Sequence, residues 1–141
     1  MNLHDYHLES YSVDCGEKSI HMRFSWPYDE KRESKEITFE GVAGYNFRDA
    51  VGCVIFDLEE KEMKAFLDEH ASEFSTSYTS FGFPAFWRKD LQEALENLKA
   101  YRVWTIDSSI GFDGWVVARV LSEADPVAGI NSVTSLRSST T

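Results

Sequence analysis

Four groups of residues have the types and spacing for chemistry. The first lies in TIDSSIGFDGWVVARV, Thr105 to Val120, where Ser108, Ser109 and Asp113 sit between two apolar runs. A hydrolase nucleophile elbow needs Gly-x-Ser-x-Gly on a strand-to-helix turn, and the spacing here differs. A phosphate-binding loop needs Gly-x-x-x-x-Gly-Lys-Ser/Thr ahead of a helix, whereas here the lysine is missing and a strand follows. What the residues suit is chain reversal: Gly111 and Gly114 can take positive φ, and Asp113 can accept from nearby amides. The competing reading makes Ser108, Ser109 and Asp113 the lining of a small-molecule pocket beside Trp104 or Trp115.

The second group is His4, Asp5 and His7, with His21 on a neighbouring strand. These are metal-ligand types, yet alternation sets His4 and His7 on opposite faces of a strand that begins this early. Asp5 or His4 is expected to cap or pin the first strand, and no metal site is assigned. The third group is Asp57, Glu59, Glu60 and Glu62 at a strand-to-helix junction. Paired acids could serve as general acid and base in a cleft, but carboxylates at a helix start also suit its dipole, and no catalytic residue is assigned. Cys53, inside the most apolar run, reads as core. The fourth group is the aromatic stretch Tyr78 to Trp87, with Phe81, Phe83 and Phe86 around Gly82 and Pro84. It suits either an interface anchor or a lid over the core.

The elements that must hold these groups follow from periodicity. YHLESYSVD alternates with one slip of phase, CGEK supplies a turn, and Ile20, Met22, Phe24 and Trp26 recur at period two, which predicts a hairpin. EITFEGVAG is a third strand and YNFRDA a loop. VGCVIFDL, apolar on both faces, is the expected central strand. Asp57 with Glu60 suggests a capping box opening a helix with Met63, Phe66, Leu67, His70 or Ala71, and Phe74 on one side. A second helix is expected over 86–100, opened by Pro84, with Trp87, Leu91, Ala94, Leu95 and Leu98 as its stripe. YRVWTID and GWVVARVL return to strand. The order β-β-β-β-α-α-β-β predicts an α+β fold: a mostly antiparallel sheet of about six strands with two helices on one face.

The chain has 141 residues, 43% apolar and 14% aromatic, enough for one core. One domain over 1–124 is expected, followed by a flexible Ser/Thr-rich tail over 125–141. Fourteen basic residues against 24 acidic ones give a net charge of −10. That field disfavours nucleic acid and anionic membrane and favours a cationic partner. Cys15 and Cys53 form no close pair, so neither zinc nor a disulfide framework is indicated. No basic and apolar leader is visible, which makes a cytoplasmic protein the expectation. No cofactor is implied.

The segments LHDYHLESYSVD, ITFEGVAGY and IDSSIGFDGWVVA resemble, over Leu3 to Ala118, small bacterial α+β proteins found among the immunity proteins of polymorphic toxin systems. The resemblance carries no catalytic signature. It implies a non-enzymatic cytoplasmic inhibitor that neutralises a basic toxin by occlusion. Glu59, Glu62, Asp68 and Glu69 are then the expected source of attraction, and Tyr78, Phe81 and Phe83 the expected anchors. The alternatives are a small-molecule-binding protein or small enzyme with its pocket at Trp104, Ser108, Ser109, Asp113 and Trp115, and a homodimer joined through the aromatic stretch.

Overall fold

The computed structural model describes residues 3–31, 33–48, 56–108 and 113–124. The chain opens with the expected hairpin. Strand β1 (His7–Asp14) pairs antiparallel with β2 (Ser19–Ser25), and the turn is fastened by the Glu17 amide donating to Asp14 Oδ1 at 2.9 Å. The slip of alternation in the first strand is a real register shift between Leu8 and Ser10, an irregularity of the kind a bulge introduces. Strand β3 (Ser34–Glu40) pairs with β2.

The remaining strands are β4 (Gly44–Arg48), β5 (Phe56–Lys61), β6 (Arg102–Ser108), β7 (Asp113–Ala118) and β8 (Val120–Ala124). Helices α1 (Met63–Phe81) and α2 (Leu91–Asn97) lie between β5 and β6. The class is α+β, but among the described residues the single sheet of about six strands is replaced by two antiparallel sheets of four. Their strand orders are β1-β2-β3-β8 and β4-β7-β6-β5.

Both sheets come from two crossings. GWVVARVL is one apolar run in the sequence, yet the chain changes sheets at Arg119, whose amide donates to the Glu40 carbonyl at 3.0 Å. Beside it, Gly41 to Ala43 carries the chain from the first sheet to the second. There the Val42 amide donates to Lys18 O and the Ala43 amide to Val117 O, both at 2.8 Å.

Three layers result. Ile20, Met22, Phe24, Ile37 and Phe39 of the first sheet pack on Trp104, Ile106, Val116 and Ala118 of the second. The opposite face of the second sheet offers Val103, Trp115 and Val117 to Phe66, Leu67 and Phe74 of α1 and to Phe86, Trp87, Ala94 and Leu98. A sheet covered on both sides must be apolar on both, which is why β6 and β7 do not alternate.

Several boundaries differ from expectation. YNFRDA is not a loop: residues 44–48 form β4, with Tyr45 and Phe47 against the first core. Residues 51–55 of the expected central strand lie outside the described residues, and β5, which follows them, is an edge strand rather than a central one. Asp57 and Glu60 lie on that strand, so they form no capping box; Glu62 occupies the N-cap of α1 without a side-chain bond.

Helix α1 also runs past Phe74 to Phe81, because Tyr78 continues the buried stripe and Gly82, at φ 72°, closes the helix by donating to Tyr78 O. The second helix is shorter than the 86–100 expected. Asp90 begins it, its side chain accepting from the Glu93 amide at 2.9 Å. Phe86 and Trp87 are buried ahead of it, with Trp87 Nε1 donating to Ser75 Oγ at 3.1 Å. The expected tail, 125–141, lies outside the described residues.

Candidate functional site

Strand pairing aligns residues in rows across the second sheet. Asn46 stands opposite Trp115, Trp115 opposite Thr105, and Thr105 opposite Glu59. The next row holds Arg48, Asp113, Asp107 and Asp57 in the same succession. Where the apolar part of this face ends, α1 passes over it with Glu69, His70 and Glu73. Between helix and sheet lies a polar cleft of about 310 Å³, within the usual range of ligand sites.

The cleft mixes charges. Glu69 and Glu73 come from the helix, Asp107 from the sheet, and Arg48 and Lys61 oppose them. Lys61 Nζ donates to Glu59 Oε2 at 2.7 Å. That bond and the charge of Glu59 raise the lysine pKa, and Asp107 and Glu69 push it the same way. Lys61 is thus the counter-cation of three carboxylates.

On the wall, the His70 ring stacks on Phe74 at 5.2 Å between centroids, and its Nδ1 lies 3.2 Å from Glu73 Oε2. Thr105 Oγ1 is buried with no hydrogen-bond partner among the described residues. Gly114 is required here: a Cβ would stand 2.4 Å from the Asn46 carbonyl oxygen. The arrangement can hold a cationic or mixed-charge group between helix and sheet.

The cleft opens beside an acidic stretch. Residues 57–73 contain seven of the chain's 24 carboxylates and two lysines. Glu59, Glu60, Glu62, Asp68, Glu69 and Glu73 are all exposed. Glu60 is bound by Arg102, whose Nε donates at 2.9 Å; that hydrogen bond and the carboxylate charge raise the guanidinium pKa.

The expected interface residues divide into two sets. Glu59, Glu62, Asp68 and Glu69 share the β5–α1 end. Phe81 ends α1, about 18 Å along the helix from Glu69 at 1.5 Å per residue, and is 84% exposed. Phe83 is 37% exposed and stacks near Trp115, at 6.1 Å and 26°. Tyr78 belongs to the buried side of α1.

The expected small-molecule pocket is not gathered as a unit, since Trp104 and Trp115 face opposite layers. Ser108 ends β6 and Asp113 begins β7 opposite Asp107, while Ser109 lies outside the described residues. Sequence reasoning missed Asn46, Arg48, His70, Glu73, Thr105 and Asp107. The available signal was on β6, where every second residue runs Val103, Thr105, Asp107 and turns polar as the strand leaves the core.

The histidines are used locally. His4 Nδ1 lies 2.9 Å from Asp57 Oδ1, tying the N-terminal segment to β5, and that bond together with the charges of Asp5 and Asp57 raises its pKa. His7 meets Tyr28, and His21 meets Thr38. Among the described residues no group of three potential ligands could hold a metal ion. No helix among them is long and apolar enough to cross a membrane. Cys53 lies outside the described residues. In comparison with known proteins, no family model, no curated protein and no solved structure matches this chain.

Proposed function

We propose that this protein is a non-enzymatic, cytoplasmic binding module for a basic protein, acting as an immunity-like inhibitor that occludes its target. The observation that carries the reading is the concentration of carboxylates over 57–73 on an exposed edge strand and helix, flanking a cleft with acids on both walls. Such a surface steers a cationic partner and resists anionic ones such as nucleic acid and anionic lipid. A basic side chain from the partner enters between Glu69, Glu73 and Asp107, while the exposed acids around it set the approach. Of the two ends of α1, the acidic one forms the primary contact and Phe81 with Phe83 a secondary one.

The test is capture from a host lysate with elution by rising salt. It compares the native protein with a variant reversing Asp68, Glu69 and Glu73 to Lys, and with a control reversing Glu30, Glu96 and Glu123 to Lys. The reading expects one basic protein that is held to high salt by the native chain and the control and released early by the first variant. Equal retention by both variants contradicts it.

A second reading, a small-molecule site reaching toward Ser108 and Asp113, draws on one observation: Asp107, the register partner of Asp113, lines the same cleft. A ligand screen in which amide shifts at Ser108 and Asp107 saturate favours it over the protein-binding reading.

A further inference from the structure

The corner where the chain changes sheets holds a larger cleft of about 590 Å³. Its apolar surface comes from Val42, Phe86 and Leu98, and Tyr101, Arg119 and Lys18 complete the rim. In a chain with 24 acidic residues, no carboxylate among the described residues lines this cleft. Among the described residues, neither Lys18 nor Arg119 has a carboxylate within ion-pair distance. We infer that this corner is a second binding site, for a small apolar monocarboxylate, independent of the α1 face.

The Arg119 side chain and the Lys18 backbone are held in place. Gly41 has φ 66°, and a Cβ there would lie 3.0 Å from Cγ and Cδ of Arg119. Its glycine lets the Arg119 stem lie across the β3–β4 crossing. The guanidinium sits 5.0 Å from the Tyr101 ring centroid, and its Nη2 donates to Tyr101 Oη at 3.4 Å. Lys18, at φ 54°, is anchored by its carbonyl accepting from Val42. The floor is fixed as well, since a Cβ on Gly44 would stand 2.9 Å from Phe86 Cε2.

Ligand class follows from these groups. Two side-chain cations over an apolar floor suit an anionic head on an apolar body. A phosphate site would instead present free backbone amides, and the amides of Val42, Ala43 and Arg119 already donate to carbonyls. The net charge of −10 also opposes a dianion more strongly than a monoanion. The carboxylate lies between Lys18 and Arg119, with the apolar body against Val42, Phe86 and Leu98.

The experiment is an amide-shift titration with 3-phenylpropionate, its neutral counterpart 3-phenylpropan-1-ol, and inorganic phosphate. The acid is expected to saturate at millimolar concentration or below, shifting Ala43, Leu98 and Tyr101, with the alcohol and phosphate weaker by roughly tenfold or more. In a Lys18→Gln/Arg119→Gln variant whose other amide signals are unmoved, the acid is expected to fall to the level of the alcohol. Equal binding of acid and alcohol, tighter binding of phosphate, saturation at other residues, or no saturation overturns the proposal. If the double variant loses its fold, the single Lys18→Gln variant is expected to weaken binding of the acid and leave the alcohol unchanged; unchanged binding of the acid counts against the site.

Discussion

Trp104 and Trp115 lie one register step apart on hydrogen-bonded strands and face opposite layers of the molecule. Trp104 is opposite Val116 and Trp115 opposite Thr105, so one ring enters the core between the sheets and the other the core beneath the helices. The central strands of the second sheet therefore hold both cores together, and the candidate cleft is built on one of the two faces.

Trp115 is 5% exposed and meets Phe66, Phe74 and Phe86 edge to face. Trp115→Ala is expected to cost about 3–5 kcal/mol. Phe81, by contrast, is 84% exposed, and Phe81→Ser is expected to change stability by no more than about 0.5 kcal/mol. Urea unfolding of the two variants checks both values.

Gly114→Ala tests how closely β4 must approach β7. Its Cβ would meet the Asn46 carbonyl at 2.4 Å and Phe47 Cδ1 at 2.7 Å, so β4 must move outward. A loss of about 1–3 kcal/mol is expected, together with disturbed amide signals at Asn46 and Arg48.

Much of the fold was legible in local pattern. Ile20, Met22 and Phe24 announce β2, the phase slip in β1 is a genuine register shift, and the stripe from Met63 to Phe74 marks α1. The division into two sheets was not, because the chain turns at Arg119 without glycine or proline, and a single charged residue between apolar neighbours does not mark a turn. Strand β4 was missed because five residues with Tyr45 and Phe47 inward carry too little periodicity to distinguish from a loop.

The site divides in the same way. Glu59, Glu62, Asp68 and Glu69 are neighbours in sequence and were visible as an acidic group. Arg48, Lys61, His70 and Asp107 meet in the cleft only through pairing between distant strands. Register of that kind is set by the packed core and not by local sequence.

The pH dependence of stability should reveal the tie between His4 and Asp57. The pKa of His4 is raised above 6.5, first by its hydrogen bond to Asp57 and then by the charges of Asp5 and Asp57. A raised pKa means that the imidazolium is favoured in the folded state. Its stabilisation is fully present below 6.5 and is lost as pH rises through the folded value. The Tm gap between the native protein and His4→Gln is expected to be open near about pH 5.5 and closed near about pH 8.5. A gap unchanged across that range contradicts the pairing.

Lys61 is the internal competitor for a cationic partner, since Glu59, Asp107 and Glu69 all act on it. Lys61→Gln removes one of the two cations that line the cleft. Binding of the captured basic protein is expected to tighten by about threefold at low salt, with a steeper dependence on ionic strength, as read by calorimetry.

The most direct measurement is hydrogen exchange of the full chain with and without the basic protein retained at high salt. The account predicts that protection is concentrated in residues 57–73 and in β6 around Asp107. Protection confined to Phe81 and Phe83, or to the corner of Lys18 and Arg119, with 57–73 unchanged, would contradict it.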